Sequence, residues 1–262
     1  MRNYGKFDCF MVEKKDKVAI LTINQPESLN AFTVKLHKQT EEIFNEVAYD
    51  DTVNAVILTG AGKAFSSGGD IKKMQTGELA KRIPPEEPIR LILNLLKIKQ
   101  PVIAAVNGSA IGLGATLALF CDMVVASEKA KIGDPHVNVG LVAGDGGCII
   151  WPLLIGMNRA KEMLMTGKLL TAEEAKYIGL INHCVPQEEV MPKALEIAYA
   201  LADGPVKAIQ WTKMSLNQIL MQYVNLILPM STAFEYLSMG TEDHKEAATA
   251  FLEKRKPKFT GK

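Results

Sequence analysis

Residues 101–127 read PVIAAVNGSAIGLGATLALFCDMVVAS. Val102 to Val106 is a β-branched apolar run, so it reads as a buried strand. Asn107 to Gly114 is a glycine turn. Gly114 to Phe120 has the length and composition of a buried helix, and Met123 to Ala126 returns as a second short strand. Strand, turn, helix, strand in this order indicates βα units around a mainly parallel sheet. The stretch is the most hydrophobic in the chain, but Asn107, three glycines and Asp122 interrupt it, which argues against a membrane span.

The same alternation extends toward the N-terminus. Val18 to Ile23 and Ala55 to Leu58 read as strands. Between them Leu36, Ile43, Phe44 and Val47 share one face of a helix spanning Thr33 to Val47, with Asn30 or Thr33 as its cap. After the second strand comes another glycine-rich turn, Gly60 to Ile71 (GAGKAFSSGGDI). A strand–glycine turn–helix unit presents unused backbone N–H groups and the positive end of a helix dipole. Neither turn has the GxGxxG spacing after a first strand, and GxxxxGK[ST] is absent, so a nucleotide-binding reading is poor. Residues 75–88 (QTGELAKRIPPEEP) are polar and proline-rich and predict a mobile loop, a candidate lid. From Thr171 the pattern turns helical: 171–180, 188–204, and a long run from Pro205 to Phe251.

With 262 residues, 48% of them hydrophobic, the chain can bury a sizeable core. A formal net charge of +1, from 30 Lys+Arg and 29 Asp+Glu, provides no reason to expect nucleic acid or an anionic membrane as a partner. The N-terminal stretch lacks an apolar signal region. Cys9, Cys121, Cys148 and Cys184 form no CxxC pair and read as reduced thiols of a cytoplasmic protein. No HExxH or paired-Cys metal motif is present, so no metal is expected. His37, between Lys35 and Lys38, and His244, in the charged run 241–246, read as solvated; His183 reads as a strand end. Met214, Met221, Met230 and Met239 read as packing against the core or a neighbouring subunit. The basic tail 253–262 is either a solvated terminus or a phosphate contact.

Taken together, AFSSGGDIKKM (64–74) and PVIAAVNGSAIGLGATLALFCDMVVAS resemble the crotonase (enoyl-CoA hydratase/isomerase) superfamily. The resemblance extends to LTINQPESLNAF (21–32), MLMTGKLLTAEEAKYIGLINHCV (163–185) and AFLEKRKPKF (250–259). It implies an α/β fold, the ClpP-like spiral of ββα units, over residues 1–200, with a C-terminal helical region over 201–262 for assembly and CoA contact. It implies homotrimers or dimers of trimers, an acyl-CoA substrate, and no tightly bound cofactor other than coenzyme A as part of that substrate. It assigns the oxyanion hole to the backbone N–H groups of Gly69 and Leu113, which stabilise an enolate or tetrahedral oxyanion. It places CoA along Ser28, Ala64, Ser66 and Asp70, with Phe251 and Lys254 reaching the CoA of a neighbouring subunit.

At the two positions where hydratases of this superfamily carry catalytic glutamates, the chain has Thr116 and His136. A threonine hydroxyl cannot act as a carboxylate base near neutral pH. His136, and Asp145 in VAGDGG (142–147), are the residues able to replace them, a histidine oriented by an aspartate being a good general base. The plainer alternatives are a satisfied loop histidine and an aspartate that serves a turn. Residues 134–167 also resemble the superfamily's carbon–carbon bond hydrolases acting on β-diketones, where such a pair activates water; Glu235, in STAFEYLS, falls where those hydrolases can have a further acid. Three readings therefore stand: a hydratase/isomerase-like enzyme, a hydrolase opening a β-ketoacyl-CoA or β-diketone through His136 and Asp145, and a non-catalytic acyl-CoA-binding or RNA-binding paralogue.

Overall fold

A computed structural model describes residues 4–70 and 86–262. Its strands are β1 (Phe10–Lys15), β2 (Val18–Ile23), β3 (Ala55–Gly60), β4 (Ala64–Ser66), β5 (Val102–Val106), β6 (Ser109–Ile111), β7 (Met123–Ser127), β8 (Lys131–Gly133), β9 (Leu170–Thr171) and β10 (His183–Val185). Six form one sheet in the order β1-β2-β3-β5-β7-β10, and four short ones form a second in the order β4-β6-β8-β9. Apart from β1 against β2 and β8 against β9, every pairing is parallel.

The large sheet is apolar on both faces, as a covered parallel sheet must be. Successive side chains alternate between two cores. Val18, Ile20, Ala55, Ile57, Ile103, Ala105 and Val125 enter one, closed by helix α7 (Val190–Ala202). Leu21, Ile23, Val56, Leu58, Ala104 and Val106 enter the other and larger one. There they meet α1 (Val34–Ala48), α2 (Glu86–Lys97) and α3 (Leu113–Phe120), the last buried along its whole length. Thr33 caps α1, its hydroxyl accepting from Leu36 N at 3.2 Å.

Beyond α3 the chain adds α4 (Gly147–Ile155), α5 (Met157–Thr166) and α6 (Ala172–Tyr177), the last opened by a capping box between Thr171 and Glu174. The helical run that begins at Pro205 divides into α8 (Val206–Met239) and α9 (Glu242–Leu252). Lys213 fastens α8 to the sheet: its Nζ donates to Gln100 O at 2.8 Å and lies 2.6 Å from Asp122 Oδ2, which also accepts from Val102 N. Among the described residues no helix is long and apolar enough to cross a membrane.

Several expectations change. Most of the expected lid, residues 75–85, lies outside the described residues, but Glu86, Glu87 and Pro88 are not loop: they open α2. His37 and His244 are not solvated; they are 7% and 3% exposed. His37 sits on the buried face of α1, edge-on to Phe32 at 5.1 Å, and burial pushes its pKa down to about 4. The lysines beside His37 in sequence fall on other faces of the helix, because neighbours in sequence diverge by 100° at 3.6 residues per turn. The four cysteines are free thiols. Met221 packs on the main core, whereas Met214 and Met230 are about half exposed.

Candidate active site

The two glycine turns meet. A Cβ on Gly114 would fall 2.7 Å from Ser66 Cβ, and one on Gly68 2.5 Å from Ile111 O, so the segment carrying Gly69 runs directly beside the segment carrying Leu113. Gly69 bridges to Phe32 in parallel, and Phe32 N donates to Gly68 O at 2.7 Å. Leu113 is the first residue of α3 and Gly112, at φ +54°, precedes it. The first N–H groups of a helix have no partner within it. Leu113 N therefore sits at the positive end of α3 and suits an anion.

Ser28, Ala64, Ser66 and Asp70 gather around the same turn. Ser67 N donates to Leu29 O at 3.0 Å, Asn30 Nδ2 to Ala64 O at 2.8 Å, and Ser66 Oγ to Asn30 O at 2.8 Å. Ser66 and Ala64 are buried and offer main chain rather than side chain; Ser28 is exposed. Phe251 and Lys254 lie at and just beyond the end of α9, both exposed, with Lys254 N donating to Phe251 O at 3.2 Å. The hydrogen bonds given for them do not connect them to the Ser28–Asp70 cluster of their own chain.

His136 opens a short 3₁₀ turn, His136–Val139, and lies against Gly112: a Cβ there would be 3.3 Å from His136 Cε1. Asp134, Thr116, Asp145 and Glu235, from four segments, gather there. His136 Nδ1 is hydrogen-bonded to Asp134 Oδ1. Its Nε2 stands 3.7 Å from Asp145 Oδ2 and 3.9 Å from Glu235 Oε1. Thr116 Oγ1 donates to Asp145 Oδ1 at 3.0 Å. Glu235 arrives on α8, which docks on the 142–147 turn through Ser231 Oγ to Gly144 O, 2.9 Å, and Thr232 Oγ1 to the same oxygen, 3.3 Å.

All of these side chains are buried, and burial sets the direction in which Asp145 and Glu235 shift. It raises Asp145 to about 6, partly offset by the charge of His136. It raises Glu235 to about 8, again against the pull of His136. For His136 burial works the other way, but the charges of Asp134 and Asp145 overcome it and hold the imidazole well above its usual value. The result is an imidazolium between an ionised aspartate and a protonated glutamate at neutral pH. Separating two carboxyls through their surroundings is a device that acid–base chemistry can use.

Sequence reasoning brings forward His136 and Asp145; the fold puts Asp134 and Glu235 beside them. Asp134 is concealed in a Gly-Asp-Pro turn, although its i,i+2 spacing to His136 with proline between is a signal that could have been read. Asp134, His136 and Asp145 can each bring one ligand atom within 4.8 Å of the others. Their hydrogen bonding suits a proton better than a cation, since Asp134 already engages Nδ1.

The family model for enoyl-CoA hydratase/isomerase matches residues 13–262. The short-chain-enoyl-CoA hydratase of Clostridium acetobutylicum is 40% identical over 254 residues, covering 94% of this chain and 95% of that protein. The 2,3-dehydroadipyl-CoA hydratase of Escherichia coli is 32% identical, covering 96% and 98%. The crystal structure of an enoyl-CoA hydratase/isomerase from Mycobacterium paratuberculosis superposes with a TM-score of 0.86 at 35% identity, covering 92% of this chain and 97% of that one. On both sequence and fold, the chain belongs to the enoyl-CoA hydratase/isomerase family and is an enzyme of that kind.

Proposed function

We propose that the protein hydrates an enoyl thioester of coenzyme A, with Asp145 and Glu235 in the parts of base and acid. The convergence of two buried carboxyls on His136, Asp145 at 3.7 Å and Glu235 at 3.9 Å from its Nε2, beside the Gly112–Leu113 turn is the observation that carries this reading. Water addition needs one group to take a proton from water as it attacks the β-carbon and one to deliver a proton to the α-carbon. Asp145, held by the Thr116 hydroxyl, takes the first part, and Glu235 the second. His136, as a fixed cation beside the Gly112–Leu113 turn, stabilises the enolate that develops at the thioester oxygen. Gly69 N–H and Leu113 N–H receive that oxygen, and a donor of this type contributes about 3 kcal/mol to the barrier. The CoA follows the main chain around Ser28, Ala64, Ser66 and Asp70, and Phe251 and Lys254 serve the CoA of a neighbouring copy.

A specific observation favours a second reading. Asp134 holds His136 Nδ1 and Asp145 stands 3.7 Å from its Nε2, and a histidine oriented by carboxylates can also activate water for attack on a ketone, opening a β-ketoacyl-CoA so that an enolate leaves into the oxyanion hole. Incubation with an enoyl-CoA and with a cyclic β-ketoacyl-CoA separates the two. Hydration consumes the conjugated enoyl thioester without making an acid, whereas ring opening releases a carboxylate and a proton. Turnover of the β-ketoacyl-CoA alone would overturn the hydratase reading, and turnover of neither would leave a binding protein.

The same reading includes self-assembly. The outer face of α8 exposes Trp211, Leu226 and Leu237 at 64%, 74% and 70%. Leu216 and Ile219 join Leu153 and Leu154 along an apolar cavity of about 650 Å³. An unpartnered apolar surface of this kind marks an association face, here between copies of the chain, as trimers or dimers of trimers.

A further inference from the structure

The site contains a buried carboxylate to which the proposed reaction gives no part. Asp134 is 1% exposed, one of its oxygens is hydrogen-bonded to His136 Nδ1, and the other, Oδ2, is buried without a hydrogen-bond partner. Leaving a buried carboxylate oxygen unsatisfied is costly, so its place here calls for a return elsewhere. Its surroundings are shaped to it. Gly147 opens α4, and a Cβ at that position would stand 2.1 Å from Asp134 Oδ2, so even alanine would displace the carboxylate.

We propose that Asp134 is the positioning residue of the site: by accepting from Nδ1 it fixes the ring of His136 so that Nε2, and no other atom, faces Asp145 and Glu235. This rests on the acid–base reading given above. An imidazole has two nitrogens, and the hydrogen bond made by one decides which proton and which direction the other presents. With Nδ1 engaged by Asp134, the ring cannot flip without burying Asp134 unpaired. Among the described residues, the other titratable groups facing His136 are Asp145 from the 142–147 turn and Glu235 from α8, with Cys148 near enough that burial and the charges of the three acids raise its thiol. Gly147 belongs to the same device, as the residue whose lack of a side chain leaves room for Asp134.

The test follows the imidazole itself in the full-length protein. ¹⁵N NMR resolves the four histidines, and His136→Gln assigns the signal. Asp134→Asn keeps an acceptor for Nδ1 but removes the charge. The His136 titration midpoint is expected to fall by about one pH unit or more, and kcat to fall on the order of 100-fold, with KM unchanged. Gly147→Ala, which leaves Asp134 in the sequence and suits the first turn of a helix, is expected to move the same signal and is decisive if Asp134→Asn does not fold. A His136 signal that titrates as in the unaltered protein in every folded variant overturns the proposal. A signal that moves while kcat does not supports the positioning role and instead removes the acid–base reading.

Discussion

At the scale of single residues, the site's proton inventory is set by burial. Asp145 must be ionised to accept from water, so activity should rise as pH climbs through about 6; Glu235 must be protonated to donate, so activity should fall as pH passes about 8. A bell-shaped profile of kcat with those limbs is expected, and Glu235→Gln should abolish the alkaline limb together with most of the rate. Asp145→Asn should lower kcat by about 10²- to 10⁴-fold, the usual range for a general base, measured by loss of the enoyl thioester. Thr116 is a gentler test. Its hydroxyl donates to Asp145 and lowers that carboxyl's pKa, so Thr116→Val should move the acidic limb toward higher pH. The folded pKa of Asp145 rises when a hydrogen bond to its charged form is lost.

At the scale of elements, the best-read parts of the sequence were those decided by local chemistry. Val18 to Ile23 and Val102 to Val106 form strands at the expected bounds, and Thr33 caps α1. The glycine turns could be recognised as tight turns, and Gly112, at φ +54°, does open α3. What could not be read was tertiary. Strands of two or three residues such as β4, β6 and β9 carry no periodicity to detect. Glu235 lies 90 residues beyond Asp145, and only the docking of α8 brings them together. The docking contacts are therefore worth testing. Ser231→Ala removes one of the two hydroxyls on the buried carbonyl of Gly144 and should cost about 0.5–1.5 kcal/mol, read from the urea midpoint, with a fall in kcat as Glu235 loses part of its seat. Lys213→Met removes the ion pair to Asp122 and the bond to Gln100 O while leaving the bond from Val102 N to Asp122, and a loss of about 1–3 kcal/mol is expected in the same assay.

At the scale of the whole molecule, α8 serves two purposes. Its inner face brings Glu235 to His136, and its outer face is a row of exposed apolar side chains. If that row joins copies of the chain, Leu226→Glu should shift the sedimentation coefficient toward a single chain and leave the fold of each chain intact, as followed by circular dichroism. The two faces are then linked: a helix held straight by neighbours keeps its acid in register.

The origin of Glu235 on α8 also has a consequence in time. Protein synthesis proceeds from the N-terminus, so the oxyanion turn, Asp134, His136 and Asp145 leave the ribosome long before residue 235 does. On the acid–base reading, a nascent chain in that interval has no Glu235 to donate the final proton. The chemistry then waits on the synthesis and docking of α8, and a polypeptide abandoned before α8 is made is expected to be inactive.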